Sequence, residues 1–183
     1  MREKRGFTLI ELMIVVAIVI IVAVVAVPGV LQTAKSDNQQ KAISALKAYY
    51  DAQYQFKDRG LKKRADNPSI SLFARPFSEL SRYGEQNLGL VSPEFAAAVD
   101  AHHGFNGYYF ADDPRVPPGS ESVFGLFAVP CLYGKTGDFV YFIDGAGKIH
   151  EKDPGAQINT PSTHFTGANH PRDPAATGWV TVQ

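Results

Sequence analysis

One carboxylate stands where a carboxylate is costly. Glu11 lies in the run from Phe7 to Val27, 21 residues in which it and Thr8 are the only polar side chains. At a bilayer centre an ionised side chain costs roughly 2.5–3.5 kcal/mol, and less near the surface. A residue kept at that cost is a candidate for function and calls for a positive partner. The blander alternative is a side chain that reaches back to the interface and does little.

The other chemistry-bearing residues assemble no recognisable site. Gly134-Lys135-Thr136 has the tail of a phosphate-binding loop, but the glycine required five residues earlier is Val129. Its flanks also read as strand and turn rather than loop and helix. No Gly-x-Ser-x-Gly nucleophile elbow occurs. His102 and His103 are adjacent and point apart in any regular structure, so they are not expected to share a metal. His150, His164 and His170 are scattered among turns and tail. Cys131 is the only cysteine, which excludes an internal disulfide and a cysteine-based zinc site. It is expected to be a buried, inert thiol rather than a nucleophile paired with a histidine. Asp112, Asp113, Asp138, Asp144 and Asp153 fall near strand ends and offer oxygens. Their spacing matches no calcium loop, so no metal ligand is assigned. The expectation is a chain with no catalytic residues and no cofactor.

The elements that carry these residues divide the chain in two. It has 183 residues, 18 basic and 18 acidic, for a formal charge of zero. That balance removes a basic nucleic-acid binder as the default reading. With 45% apolar and 20% charged residues it is not an acidic disordered chain either. The length suits one compact domain plus an appendage. The appendage is the N-terminal run, roughly 30 Å long as a helix, which is the thickness of a hydrocarbon core. Arg2, Lys4 and Arg5 precede it, so its start is expected to stay cytoplasmic while the rest crosses outward. Three readings compete: a secretory signal ending near Val24-Val25-Ala26, with Val27 as a new terminus; a plain single-span anchor; and a helix in which Glu11 has a job.

Pro28-Gly29 is expected to bend or loosen the helix, because proline removes a backbone donor and crowds the preceding turn. An amphipathic continuation then runs to about Lys57, with Gly60 as the stop. Ile43, Leu46, Tyr50 and Tyr54 fall on one face. Lys35, Asp37, Lys41, Lys47 and Asp51 make a solvated side. Tyr49, Tyr50, Tyr54 and Phe56 are expected to cover a sheet rather than to carry electrons. Lys62-Lys63-Arg64 reads as a solvated loop. Ser92-Pro93-Glu94 starts a helix, with Ser92 as its cap. Strands are expected at residues 108–110, 123–129 and 139–143, followed by a turn at Asp144-Gly145-Ala146-Gly147 and a return at residues 148–150. The fold class is therefore α+β, a long N-terminal helix packed on a small antiparallel sheet. The expected divisions are 1–6, a leader; 7–28, the apolar helix; 29–60, its amphipathic continuation; 61–153, a globular head; and 154–183, an extended surface tail. Within that tail Trp179-Val180-Thr181-Val182 could add an edge strand, and Thr160, Ser162, Thr163 and Thr166 could carry O-linked sugars.

The N-terminal residues carry a resemblance. The basic leader, Gly6-Phe7-Thr8-Leu9-Ile10-Glu11, the unbroken apolar run and Pro28 are similar to the class III signal of type IV prepilins and type II secretion pseudopilins. The likeness covers about the first 30 residues. It implies cleavage after Gly6, N-methylation of the new terminus Phe7, and a role for Glu11 and Phe7 in filament assembly. It implies a head in which the sheet packs on the C-terminal half of the long helix. It also implies partners: further copies in a helical homopolymer, a prepilin peptidase and methyltransferase, an inner-membrane assembly platform, and the membrane before assembly. Losing Arg2, Glu3, Lys4 and Arg5 from 18 basic and 18 acidic residues would leave 15 against 17. A cut there creates an amine four residues from Glu11, the spacing of side chains on one helix face. Glu11 could pair with its own amine or with that of a neighbouring subunit; the resemblance implies the second. A type IV pilus subunit at the cell surface is the expectation, with adhesion, motility or DNA uptake as roles open to it. A secretion pseudopilin is the alternative, which bound calcium would favour, and an anchored or secreted enzyme the third.

Overall fold

The computed structural model describes residues 7–173 and 176–182. The chain divides into two compact units, Met1–Ala34 and Lys35–Gln183. Helix α1, Leu9–Asp58, starts in the first and ends in the second. In the first unit the described side chains are bare. From Leu9 to Val24 the large apolar residues are all at least 49% exposed. The most apolar 18-residue window of α1 has a mean hydropathy of 3.3, long and apolar enough to cross a membrane. The helix continues through Pro28 and Gly29 without a break.

In the second unit α1 presents a buried stripe of Ala42, Ala45, Leu46, Tyr49, Ala52, Gln53 and Phe56. This corrects the expected face by about one position. Ile43 and Tyr50 are half-buried at its flank, and Tyr54 is exposed. The reason is steric. Three alanines at the centre let the helix axis approach the sheet, and the bulkier Ile43, Tyr50 and Tyr54 are displaced to the margin. Tyr49 covers the sheet as expected, its hydroxyl donating to the Gly125 carbonyl at 3.4 Å, while Phe56 packs edge-on to Tyr83, and Tyr54 edge-on to Phe73 and Phe124. The helix ends as its sequence requires: Gly60 takes φ of +62°, open to glycine, and its amide donates to the Lys57 carbonyl at 2.9 Å.

The sheet is a five-stranded antiparallel meander in chain order: β3, Tyr108–Asp112; β4, Gly125–Pro130; β5, Val140–Asp144; β6, Ile149–Lys152; and β7, Val180–Thr181. A small hairpin, β1 (Arg82–Tyr83) and β2 (Gln86–Asn87), stands apart from it. Asp144 organises the β5–β6 turn, its Oδ1 accepting the amides of Ala146 and Lys148 at 2.9 Å each. Ser92 caps α2, Pro93–Ala97, by accepting the Phe95 amide at 3.2 Å.

Alternation along the strands sends side chains to two cores. Tyr108, Phe110, Leu126, Ala128, Tyr141, Ile143 and Ile149 face α1. Tyr109, Phe127, Val129, Val140 and Phe142 face the other way, onto Ile158 and Phe165. A sheet covered on both faces reads as continuous apolar strands, and β4 is buried at every residue. The second cover comes from Ile158, Phe165 and Trp179, so the described part of residues 154–183 packs on the sheet rather than forming an extended surface tail. Phe165 stacks on Phe127 with centroids 4.2 Å apart, and His170 is fully buried. Among the described residues of that segment are a short helix α3, Pro161–His164, and the edge strand β7.

Candidate processing and assembly segment

Gly6, the expected cleavage position, lies outside the described residues. Phe7 is 80% exposed and precedes α1, which begins at Leu9. Phe7 and Glu11 therefore do not share a helix face. Thr8 stands at the cap position instead. Its Oγ1 accepts the Glu11 amide at 3.3 Å, and its own amide and hydroxyl donate to Glu11 Oε2 at 2.9 and 2.7 Å. This is a capping box: cap and third helical residue each satisfy the other's free amide. The signal was present as Thr8-x-x-Glu11, and the sequence reading passed over Thr8. Glu11 also sits in the first turn, where the helix dipole favours an anion. Its carboxylate is thus matched by neutral donors of its own chain.

The remaining candidates fall apart in space. Gly134, Lys135 and Thr136 form a turn between β4 and β5, where the Gly134 amide donates to the Gly137 carbonyl at 3.0 Å. His102 is exposed, and His103 pairs with Asp100 at 3.0 Å. His150 lies 3.8 Å from Asp144, and His164 is exposed. Cys131 is buried, and burial, with Asp100 adding to it, pushes its thiol upward and away from the reactive thiolate. Among the described residues no group of three or more His, Cys, Asp or Glu is placed to hold a metal ion. The basic run is not simply solvated. Lys62 pairs with Glu79 at 2.8 Å, and Arg64 with Asp66 at 2.8 Å and Glu121 at 3.3 Å.

One cluster was missed. Asp113 and His170 are both fully buried and lie 2.9 Å apart, Nε2 to Oδ1. Arg172 places its Nη1 2.9 Å from the other carboxylate oxygen. Burial alone would raise the Asp113 carboxyl, but His170, the Arg115 amide and Arg172 together hold it below its ordinary value. Nothing local in the sequence pairs residue 113 with residue 170. The group fastens the C-terminal segment to the end of β3.

The described residues thus comprise an exposed apolar helix that opens on a Thr–Glu box, and an α+β unit. The family described as the prokaryotic N-terminal methylation motif matches residues 1–27. The type IV major pilin protein PilA of Myxococcus xanthus (strain DK1622) is 52% identical over 130 residues, 70% of this chain and 48% of that protein. The chain spans about half the length of that relative. No solved structure matches. The signal Gly6-Phe7-Thr8-Leu9-Ile10-Glu11 falls within the matched N-terminal methylation motif, and the likeness to a type IV major pilin extends over 130 residues.

Proposed function

We propose that this chain is the structural subunit of a type IV pilus. A peptidase cleaves after Gly6, Phe7 becomes the methylated terminus, and the apolar helix holds the subunit in the inner membrane with its start in the cytoplasm. An assembly platform then transfers it into a helical homopolymer at the cell surface. The observation that carries this is an apolar helix with no cover, joined to a signal that keeps the helix on the mature chain. Such a helix must be buried in lipid or in protein. The two surroundings are similarly apolar, so exchange between them is feasible. A heterologous contact that does not close then yields a fibre. In this reading Glu11 exchanges its Thr8 donors for the amine of a neighbouring Phe7, and Pro28 is the point at which the helix yields. Relatedness to a major pilin favours the pilus over the pseudopilin and over an enzyme.

Mass spectrometry of the mature chain tests it. The expected terminus is Phe7 carrying one methyl group. A chain that starts at Met1 or at Val27 removes the reading. In Glu11→Ala the helix keeps its apolar face, so membrane insertion should persist while sheared surface fibres fall at least tenfold. Wild-type fibre yield would take Glu11 out of assembly.

A further inference from the structure

Among the described residues two buried side-chain polar atoms have no hydrogen-bond partner, Arg75 Nη1 and Asp113 Oδ2. Asp113 Oδ2 lies 2.9 Å from Arg172 Nη1 as an ion pair, but without hydrogen-bond geometry. Both orphaned residues line one cavity, together with Tyr49, Asp112 and Ser120. That cavity leaves about 10 Å³ for the centre of a water molecule. One buried water needs about this much room and two to four polar partners. A buried donor and a buried acceptor left unmade at the same cavity are costly, and a water between them satisfies both.

We propose that a single ordered water occupies this cavity and bridges Arg75 to Asp113. The water accepts from Arg75 Nη1 and donates to Asp113 Oδ2. Its second hydrogen is free for Asp112 or the Ser120 hydroxyl on the same wall. The bridge has a consequence beyond the cavity. His170 Nδ1 accepts the Arg172 amide at 3.1 Å, so the ring carries its hydrogen on Nε2 and donates it to Asp113 Oδ1. Asp113 thus receives the C-terminal segment on one side and, through the water, the residue 73–77 segment on the other. The latter belongs to the first core: the Ala74 amide donates to Gln53 Oε1 of α1 at 2.8 Å. The water links the fastening of the second cover to the first core, and Arg75 is a positioning residue for that fastening.

A high-resolution crystal structure of the full chain in detergent should show a water in hydrogen-bond contact with both Arg75 and Asp113. An empty cavity, or a water that touches only one of the two, overturns the proposal. Arg75→Met keeps the aliphatic stem and removes the donor. Hydrogen exchange of the variant, in the same detergent, should quicken at least tenfold at the amides of His170, Arg172 and Asp173, while amides around Leu46 keep their rates. Unchanged exchange at these three amides overturns the link. If Arg75→Met does not fold, the structure of the unaltered chain decides alone.

Discussion

Asp112 ends β3 half-buried, its Oδ2 accepting the Phe77 amide at 3.2 Å. Burial pushes its carboxyl up to about 6, against the lowering effect of that amide and of Arg75. In the unfolded chain the same group titrates near 3.9. Between these values the folded state binds more protons than the unfolded one, so stability falls as pH rises from about 4 to about 6 and stays lower above that. Asp112→Asn keeps an oxygen for the Phe77 amide and removes the charge. It should match the wild type below pH about 4 and exceed it at pH 7, by about 2 kcal/mol once partial solvent access is discounted. Urea unfolding across that range checks this; a variant less stable at pH 7 than at pH 4, relative to wild type, would reverse the sign. At the other end of the chain, Thr8 and Glu11 show how a residue gains meaning from its neighbour. The acid alone looked like a misplaced charge, and the box makes it the natural third residue of a capped helix.

Helix α1 buries one polar side chain in its stripe, and that residue ties the helix to the loop that follows. Gln53 is fully buried, accepts the Ala74 amide at 2.8 Å and donates to the Ala74 carbonyl at 2.9 Å. The pair imitates one rung of a sheet between a helix and an extended segment. Gln53→Leu fits the volume but leaves both Ala74 groups unmade, at a cost of about 1–3 kcal/mol. Chemical denaturation should show that loss, and exchange at Ala74 should quicken more than exchange at Leu46. No loss of stability would mean that Ala74 finds other partners. Gln53 also marks where the sequence ceases to be legible. The helix, its Gly60 stop, the Ser92 cap and the strand cores were readable, because each rests on residues within a few positions of one another. The buried stripe was misplaced because alanine carries little hydrophobic signal, although its small size decides how closely a helix approaches. The second cover was missed for a related reason. Ile158, Phe165 and His170 are too far apart among Pro, Gly and Thr to show a period, and only the outer face of the sheet gathers them.

At the scale of the whole molecule, the fold places its oil in two different settings. Among the described residues every buried hydrophobic residue lies at Ala42 or beyond, whereas the large apolar side chains from Leu9 to Val24 are exposed. Both cores are closed by residues of Lys35–Gln183 alone: α1 from residue 42, the meander and the C-terminal cover. The anchoring contacts at the lower end of that unit are also its own. Lys35 pairs with Asp138 at 3.0 Å, and Asn38 donates to the Thr136 carbonyl at 3.0 Å. A fragment that starts at Lys35 therefore keeps every core residue among the described ones. It should be a soluble monomer by size-exclusion chromatography, with near-ultraviolet dichroism like that of the full chain in detergent. Its melting temperature should stand within about 5 °C of the full chain's, since a change of 1 kcal/mol moves a domain of this size by a few degrees. It should also fail to join fibres at any concentration, because the surface that seeks burial has been removed with the helix. A fragment that precipitates or melts without cooperativity would mean that the head needs the first 34 residues to fold. One that folds and still polymerises would move the assembly surface from the apolar helix to the head.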